Sequence, residues 1–553
     1  MTYPPVPPSP DVPGRPGVPG PYGTTADPGE SLTPGLVAPV RRRTGVIVGG
    51  VVGGVLVLGG LGAWAAVSLG GGGAQPASVL PASSPLYLQV DLDPSAGQKV
   101  NLMRLAGKFP DLSEAWGIEL DEDTDVKQVI TDALADARGC EIDYAADVEP
   151  WLGDRFGVAM SAQDEDAGVL ALAVKDEDAA REALESGLGC QDGAASEQVA
   201  FSNGYAIITT SGVAAADVVA EAEKAPLADA DLFTANMDAL GDTGVLAFWM
   251  DAQALKEMSD EALSDLADDP ALGDLFDGSP LGDQLDASTA ALEDYESIGG
   301  AVRATPDALE LVTSVGVHGE TLANFKNQTK HSTVEVLPQT TLFALAGTVD
   351  GAAVEEAWAQ LPQLAAMNDP WSGTSDFDRT VDTLAYQYDI HLPEDLVTLL
   401  GEQVIIAIDS EGLDDVAAIQ GTQDVNLGLR TVGDTADLQD LADRINTLIA
   451  RTGSAPFATA ETGDGFVLAT NDRYAKALTG DGTLGDSETY RSVTGDDEAV
   501  AMFLDIDALT EVLRGNLMGG DEMLRYVEPL RAIGVTSAVE GNHALATVRI
   551  SFD

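Results

Sequence analysis

Six blocks of sequence occur twice and in the same order after residue 78. The first pair matches VLPASSPLYLQVDLDPSA (79–96) with VLPQTTLFALAGTVDGAA (336–353). The other five pairs are LGDRFGVAMSAQ (152–163) with LGEQVIIAIDSE (400–411), GVLALAVKDEDAAREAL (168–184) with NLGLRTVGDTADLQDLA (426–442), GYAIITTSGVAAADVVA (204–220) with GFVLATNDRYAKALTG (465–480), LAFWMDAQAL (246–255) with AMFLDIDAL (501–509), and SIGGAVRATPDALELVTSVGV (297–317) with AIGVTSAVEGNHALATVRISF (532–552). Such repetition predicts the duplication of one structural unit. We therefore expect two repeats, at 78–335 and 336–553.

Within each block, apolar residues alternate over the length of a strand, and an alanine-rich run of helical period often follows. Val169, Ala171 and Ala173 alternate in this way before a predicted helix that begins at Asp176. Neighbouring strands joined by short turns and followed by a covering helix favour antiparallel pairing. The predicted fold class is α+β, with two related halves and antiparallel sheets that carry helices packed on one face.

A long apolar run precedes the repeats. Residues 46–69 (VIVGGVVGGVLVLGGLGAWAAVSL) carry no charge, and Arg41, Arg42 and Arg43 stand just before them. About 20 apolar residues suffice for a helix to cross a bilayer, and basic residues stay on the cytoplasmic side. The run predicts one transmembrane helix at 44–69 in the plasma membrane, with a cytoplasmic N-terminus and an extracytoplasmic C-terminal part. A cleavable signal peptide is the alternative, although its apolar region is usually shorter.

Gly45, Gly49 and Gly53 recur every fourth residue along this run. A ridge of small residues lets two membrane helices approach closely. The spacing suggests a homodimer paired through the span, while the alternative is that glycine is simply common in such helices.

The segments on either side of the span have biased composition. In residues 1–43, prolines recur every third residue from Pro4 to Pro19, which matches the turn of polyproline II. We expect a disordered proline-rich tail that acts as a spacer or docks on a cytoplasmic partner. Residues 70–77 begin with four glycines and predict a flexible linker.

The formal net charge of the chain is −63, yet 45% of its residues are hydrophobic. This acidic excess argues against nucleic acid and anionic lipid headgroups as partners, because binding to phosphate relies on lysine and arginine. The hydrophobic content argues against an acidic disordered chain after the linker. A solvated acidic surface explains the charge, and attraction for cations or basic partners is the alternative.

Cys140 and Cys190 are the two cysteines of the chain, and both fall in the part expected outside the cytoplasm. Disulfides persist in such compartments, so a disulfide between Cys140 and Cys190 is expected, with two free buried thiols as the alternative. Neither has a second cysteine or a histidine at metal-ligand spacing. The second repeat has no cysteine, so a disulfide is expected only in the first repeat.

The opening of the first repeat also resembles a known family. Leu80-Pro81 begins a strand, Tyr87 to Asp93 lead into DPSAGQK (93–99), and Phe109-Pro110 follow, all behind a proline-rich tail and one span. This pattern is similar to an actinobacterial family of membrane-anchored proteins catalogued only as a domain of unknown function. The resemblance implies a surface-exposed anchored protein, and it supplies no catalytic residues.

Motifs for catalysis are missing from the sequence. The four histidines, His318, His331, His391 and His543, lack the i, i+4 spacing of zinc hydrolases, and there is no G-x-S-x-G or phosphate-binding loop. We therefore expect no enzyme activity, no cofactor and no metal. The alternative is a triad assembled in three dimensions.

Several aspartates have spacings that require interpretation. Asp121, Asp123, Asp125 and Asp132 match part of a calcium-loop pattern, but Val126 replaces the glycine that the loop needs, so an acidic helix cap is expected. Asp91 with Asp93, and Asp505 with Asp507, form carboxylate pairs at strand ends in the two repeats. Such pairs serve acid and base catalysis in some enzymes, whereas turn and helix-cap roles are expected here.

The sequence as a whole indicates a single-pass anchored protein of the cell envelope, with a non-catalytic role as a binding, scaffold or sensor module. Partners from the envelope, protein or lipid, fit this interpretation. One alternative is a carrier of an apolar ligand such as a lipid, held between sheet and helices. Another is an envelope hydrolase, which would need a cleft of converging carboxylates or histidines.

Overall fold

The structure is a computed structural model. It describes residues 75–108, 142–161, 167–186, 197–268, 291–328, 334–368, 374–413, 421–480, 482–495, 499–516 and 527–553 except 93, 94 and 211, with residues 419 and 524 and a few positions between 127 and 135. The predicted tail at 1–43 and the predicted span at 44–69 lie outside the described residues.

The described strands form one antiparallel sheet of sixteen strands. They are β1 (Leu86–Asp91), β2 (Leu152–Met160), β3 (Gly168–Val174), β4 (Val199–Ser202), β5 (Tyr205–Thr209), β6 (Leu246–Asp251), β7 (Tyr295–Ala304), β8 (Ala308–Val317), β9 (Thr341–Thr348), β10 (Gln403–Asp409), β11 (Leu427–Val432), β12 (Ala458–Glu461), β13 (Gly465–Ala469), β14 (Ala499–Asp505), β15 (Leu530–Glu540) and β16 (His543–Phe552). The prediction of an α+β fold with antiparallel pairing is confirmed.

The strand order is the same on the two sides of the sheet. From one edge to the centre it is β12, β13, β11, β10, β9, β14, β15, β16, and from the other edge it is β4, β5, β3, β2, β1, β6, β7, β8. Each pair of repeated sequence blocks falls on strands that occupy equivalent places in these two orders.

The two sets of strands meet at β8 and β16, which pair antiparallel from His543 opposite Gly316 to Ser551 opposite Ala308. Both strands are about ten residues long, so this seam is among the longer ladders of the sheet. The sequence left open whether the halves share a sheet, and the structure shows that they do.

Helices connect the strands. The described ones are α1 (Ala96–Ala106), α2 (Glu177–Ser186), α3 (Ala215–Ala222), α4 (Asp231–Leu240), α5 (Ala252–Asp268), α6 (Gly319–Gln328), α7 (Gly351–Asn368), α8 (Thr374–Tyr388), α9 (Glu394–Leu400), α10 (Thr435–Thr452), α11 (Asp472–Leu478), α12 (Glu488–Thr494) and α13 (Ile506–Asn516). Asp176 caps α2, because its carboxylate accepts the Ala179 N–H at 3.0 Å. Asp434 caps α10, the helix in the equivalent place, in the same way.

Helices pack on both faces of the sheet, so the expectation of one covered face was wrong. Val169 and Ala171 of β3 pack with α3 on what we call the first face. Leu172 and Val174 of the same strand pack with α2 on the opposite, second face. The reason is that β3 is apolar on both sides, and a strand of that kind needs cover on both.

Each half has its own core on the first face. In the first half, α3 and α4 cover Tyr87, Ile207 and Trp249, and in the second half α11 and α12 cover Val467 and Phe503. On the second face, one central cluster draws residues from both halves. Its buried members are Leu88, Leu102, Leu105, Val245, Leu246, Val302 and Ala304 from the first half and Ile506, Leu530 and Phe552 from the second.

Among the described residues, no helix combines the length and the apolar character that crossing a membrane requires.

Candidate ligand-binding surface

Several residues singled out in the sequence lie outside the described residues. They are Cys140 and Cys190, Arg41, Arg42 and Arg43, Gly45, Gly49 and Gly53, and Asp93, Asp121, Asp123 and Asp125. Their predicted roles in a disulfide, membrane topology, helix pairing and helix capping stay predictions.

Asp91 lies in the sheet and not in a turn, so its predicted role as a turn or helix-cap residue was wrong. It ends β1 directly opposite Arg155 of β2. The Arg155 Nε–H donates to the Asp91 carboxylate at 2.9 Å, and the two side chains are 8% and 9% exposed. The ion pair therefore joins the ends of two neighbouring strands inside the protein.

Two tyrosines lie near this ion pair on the first face. The Tyr87 hydroxyl donates to the Gln89 side-chain oxygen at 2.7 Å, and burial raises the Tyr87 pKa well above its usual range. Burial also raises the pKa of Tyr205 to about 12, although the Arg155 charge opposes the shift. Both tyrosines belong to the core of the first half, where burial keeps their phenols protonated at neutral pH.

The second carboxylate pair lies where β14 passes into α13. The Ala508 N–H donates to the Asp505 carboxylate at 2.9 Å, which confirms the predicted helix-cap role of Asp505. Burial, and then the nearby Asp553 carboxylate, raise the pKa of Asp507 to about 6. The Arg531 Nε–H in turn donates to Asp553 at 3.0 Å. The helix cap at Asp505 and the ion pair between Arg531 and Asp553 therefore explain most of the contacts among these carboxylates.

Asp409 is a further buried carboxylate, at the end of β10, and it is 2% exposed. It accepts the Thr340 hydroxyl at 2.7 Å and the Glu411 N–H at 2.8 Å. Burial raises its pKa despite these hydrogen bonds. Glu411 lies in the turn after β10 and Thr340 directly precedes β9, so Asp409 joins that turn to the start of the neighbouring strand.

Two of the histidines lie near one another in the fold. His543 pairs with Gly316 in the β8–β16 ladder, and His318 follows β8. The His318 Nδ1 lies 3.6 Å from the Glu296 carboxylate, and burial lowers the pKa of His543. His391 lies elsewhere, 3.1 Å from Asp389. Within the described part of the chain, no three histidine, cysteine or acidic side chains are grouped so as to hold a metal ion.

The second face carries a row of apolar side chains across the centre of the sheet and into the second half. The strand registers place them in line, each opposite the next on the neighbouring strand. We call this row the apolar strip, and it consists of Leu311, Val548, Val535, Met502, Leu345 and Ile406. At about 4.8 Å per strand, it runs for about 24 Å.

The strip is partly open to solvent. Leu311 is 36% exposed and Leu345 is 45% exposed, while the other four members are half-buried. A second row of half-buried apolar side chains runs beside it, and its first four members pack against the central cluster of the second face: Leu309, Ile550, Ile533, Leu504, Phe343 and Ile408. Single exposed leucines are ordinary, but a contiguous exposed apolar patch is typical of an interaction site.

The helices near the strip pack differently in the two halves, and α6 contacts the strands β9, β15 and β16. After β1, α1 buries Leu102 and Leu105 against Leu88 and Val302 of the second face, and the Asn101 side-chain N–H donates to the Ala304 carbonyl at 2.8 Å. After β9, α7 occupies the equivalent place in the chain but contacts α8 and α9.

The ring of Trp358 on α7 packs 5.5 Å from that of Phe377 on α8, and Leu361 stays 38% exposed. The helix that would match α1 is therefore engaged with other helices.

The strip was not predicted from the sequence, although the sequence contains a signal for it. The strands FALA (343–346), QVIIAI (403–408) and VAMFL (500–504) are apolar at nearly every position. Such runs indicate strands that are apolar on both faces. Which of these side chains are left exposed depends on how several helices pack on the sheet, and no local pattern encodes that.

The described residues thus form a mixed α+β fold with an apolar strip on the second face of its sheet. The chain belongs to the family described as "Protein of unknown function (DUF3352)", whose model matches residues 47–551. The predicted resemblance to a family catalogued only as a domain of unknown function is thus confirmed.

No curated protein matches the chain. Among solved structures, a structure of crystal form I of TP0453 is similar at 10% identity, with a TM-score of 0.21, over 44% of this chain and 80% of that one.

Proposed function

We propose that the chain is a single-pass anchored protein of the cell envelope whose extracytoplasmic part acts by binding, as scaffold, sensor or carrier, and not by catalysis. The uncharged run at 46–69 behind Arg41 to Arg43 supports the anchor and the orientation in the plasma membrane. The tail at 1–43 is proposed to be disordered, and Gly45, Gly49 and Gly53 to pair two copies of the span.

We further propose that residues 78–335 and 336–553 arose by duplication of one unit. The repeated strand order on the two sides of the sheet supports this proposal. A disulfide between Cys140 and Cys190 would then stabilise the first copy alone, because the second copy has no cysteine.

The apolar strip is the observation that favours an apolar ligand. A partly exposed apolar row about 24 Å long matches an extended acyl chain better than a small polar molecule. The net charge of −63 disfavours anionic headgroups. The proposed ligand is therefore a neutral lipid or the apolar part of an envelope component.

The ionisable groups support the non-catalytic part of the proposal. Asp91 is bound by Arg155, Asp505 caps a helix and Asp409 closes a turn. None of these three carboxylates lies on the second face with the strip, which is lined by aliphatic side chains and one thioether.

Photocrosslinking of the full chain in membranes tests the proposal. The probe is a neutral diacylglycerol with a photoreactive acyl chain, and labelled peptides are identified by mass spectrometry. We expect label on residues 309–317, 341–348 and 530–552, in addition to whatever the predicted span acquires. Label confined to residues 44–69 would reject the strip as a binding surface.

Two matched variants test whether labelling depends on the apolar strip or on any exposed apolar side chain. Leu345→Asp is expected to reduce labelling of the strip several-fold, because it places a charge in the middle of the row. Leu232→Asp serves as the control, since Leu232 is similarly exposed at 38% but lies on α4, which packs on the first face. Equal loss of label in both variants would contradict a specific site.

A further inference from the structure

The sheet ends in two edge strands, β4 and β12, and each has one side that no described strand pairs with. Hydrogen bonds show which residues of β4 face outwards. The Thr209 N–H donates to the Gln198 carbonyl at 3.0 Å, so the backbone of Gln198 faces β5. Because backbone groups alternate sides along a strand, the N–H and C=O groups of Val199 and Phe201 point away from the sheet. Such groups are a template for pairing with another chain.

Each edge is closed at one end by its own half. In the first half, the Ala215 N–H at the start of α3 donates to the Glu197 carbonyl at 3.0 Å. In the second half, the Asn446 side chain of α10 donates to the Phe457 carbonyl at 3.0 Å and accepts the Phe457 N–H at 2.7 Å. The open part of each edge therefore begins after these residues.

The two open edges differ in their chemistry. β4 has the sequence VAFS and no charge, whereas β12 has the sequence ATAE and ends in the exposed Glu461. A charged side chain on an edge strand opposes pairing with another chain. The edge at β4 lacks this protection.

Two β4 strands match one another when they pair antiparallel. With Ala200 opposite Ala200 of a second copy, Val199 lies opposite Phe201 of that copy. Both backbone hydrogen bonds then form in each Val199–Phe201 pair, and an aromatic side chain meets a β-branched one, which is a favourable cross-strand contact.

The predicted span lies close to β4 along the chain. The 3-10 helix at Pro76–Val79 belongs to the core of the first face and contacts β2, β3 and β5, the last of which pairs with β4. An extended chain covers at most about 3.5 Å per residue, so residues 70–75 hold this helix within about 20 Å of the predicted span. The edge at β12 is at the other end of the sheet.

The symmetry of such a pair suits two anchored copies. Antiparallel strands of two identical sheets are related by a twofold axis perpendicular to the sheet, so the first faces of both copies lie on the same side. Because each chain enters its fold on the first face, both predicted spans start from that side and can reach one membrane.

We propose that a second copy of this chain binds at β4, so that the two sheets continue into one another. This inference rests on the proposed anchor and on the proposed pairing of the spans. Strands of four residues bury too little surface to hold two free proteins together. Two copies tethered in one membrane meet at a high effective concentration, which makes a weak contact sufficient.

Cysteine crosslinking of the full chain in membranes tests the pairing. Ala200→Cys places two thiols at a non-hydrogen-bonded pair, where Cα atoms lie about 4.5 Å apart, a distance that a disulfide spans. We expect mild oxidation to give a covalent dimer in which mass spectrometry identifies position 200 linked to position 200 of the second copy. An anchored chain that forms no such link would overturn the edge pairing.

Extraction of the same membranes with alkaline carbonate examines the anchor separately. The chain is expected to stay with the membrane. Release of the chain would overturn the proposed anchor and with it the basis for pairing, whereas a retained chain without the link contradicts the pairing alone.

Ala460→Cys is the matched control on the other edge. Ala460 lies opposite Val467 of β13 as Ala200 lies opposite Ile207 of β5, and both alanines are half-buried. We expect several-fold less covalent dimer from this variant than from Ala200→Cys. Equal yields would indicate random collision and contradict a specific edge.

Hydrogen exchange on the unaltered chain in membranes gives a second measurement that needs no substitution. The amides of Val199 and Phe201 should exchange slowly and those of Thr459 and Glu461 rapidly, because only β4 is paired. Rapid exchange at both edges would contradict the proposal. Slow exchange at β4 without the link through position 200 would assign the edge to a segment of a different protein and reject the second copy.

Discussion

Arg549 of β16 and Glu310 of β8 form an ion pair across the seam between the two halves of the sheet. The Arg549 Nε–H donates to the Glu310 carboxylate at 2.7 Å, and the side chains are 17% and 14% exposed. The same guanidinium donates through Nη1 to the Thr494 carbonyl at 2.9 Å, at the end of α12. One arginine therefore connects both seam strands to a helix of the second half.

Glu310→Gln should destabilise the protein by about 1–3 kcal/mol. The substitution removes the negative charge that balances a largely buried guanidinium, and a charged hydrogen bond in such surroundings contributes more than a neutral one. The free energy of unfolding in urea, measured on the full chain in detergent, checks this value.

Glu528→Gln is the matched control for the seam. Glu528 pairs with Arg514 at 2.9 Å, but both side chains are more than half exposed. Exposed pairs contribute about 0–1 kcal/mol. Equal losses in the free energy of unfolding for the two variants would contradict the view that burial strengthens the ion pair at the seam.

Arg155→Gln alone should cost about 3–5 kcal/mol, because it leaves the Asp91 carboxylate buried without its charge partner. The second half shows two uncharged residues that fit the equivalent positions. Gln403 and Thr348 lie opposite one another on β10 and β9, in the places of Arg155 and Asp91. The double variant Asp91→Thr with Arg155→Gln should therefore be more stable than Arg155→Gln. A double-mutant cycle measures the coupling, and simple additivity would contradict it.

Gly153→Ala and Gly401→Ala should each destabilise the fold by at least about 2 kcal/mol. These glycines begin the repeated block at β2 and β10. A Cβ on Gly153 would come within 2.6 Å of the Ala173 Cβ, and one on Gly401, where φ is +62°, would overlap the Val432 carbonyl oxygen. Loss of thermal stability in both variants is the expected result.

Gly97→Ala provides the contrast for these glycines. Gly97 lies in α1, with no atom near the position of an added Cβ. Alanine is favoured over glycine in a helix by about 0.5–1 kcal/mol, so this variant should be neutral or slightly more stable. A loss comparable to that of Gly401→Ala would contradict the packing argument.

Local patterns predicted the elements of the fold better than the contacts between them. The alternation in 168–174 and the aspartate at 176 correctly predicted a strand followed by a capped helix. The single sheet was not predictable, because the β8–β16 ladder joins residues more than 200 positions apart. The partner of Asp91 lies 64 residues away, so the sequence shows two charged residues and not an ion pair.

The same limit applies to the candidate site. Leu311 and Leu345 belong to the strip through intervening residues of β16, β15 and β14, each supplied by a different segment. Repetition in the sequence predicts that α7 should resemble α1, whereas α7 packs against α8 and α9. This difference between the halves depends on tertiary packing, which the repeated sequence does not show.

Asp507→Asn should stabilise the protein more at neutral pH than in mild acid, with a gain at pH 5.0 about half of that at pH 7.5. Burial and the Asp553 carboxylate raise the pKa of Asp507 from 3.8 to about 6 in the folded protein. A carboxyl whose pKa is raised by folding contributes stability below its unfolded pKa, and that contribution is lost as the pH rises through about 6. Since Asp507 is only partly buried, the expected gain of the asparagine variant at pH 7.5 is about 1 kcal/mol.

Urea unfolding at pH 5.0 and pH 7.5, both above the isoelectric point of about 4.1, measures this gain. Asp437→Asn, in the exposed first turn of α10, is the control. An equal gain at both pH values would show that the Asp507 charge does not oppose folding.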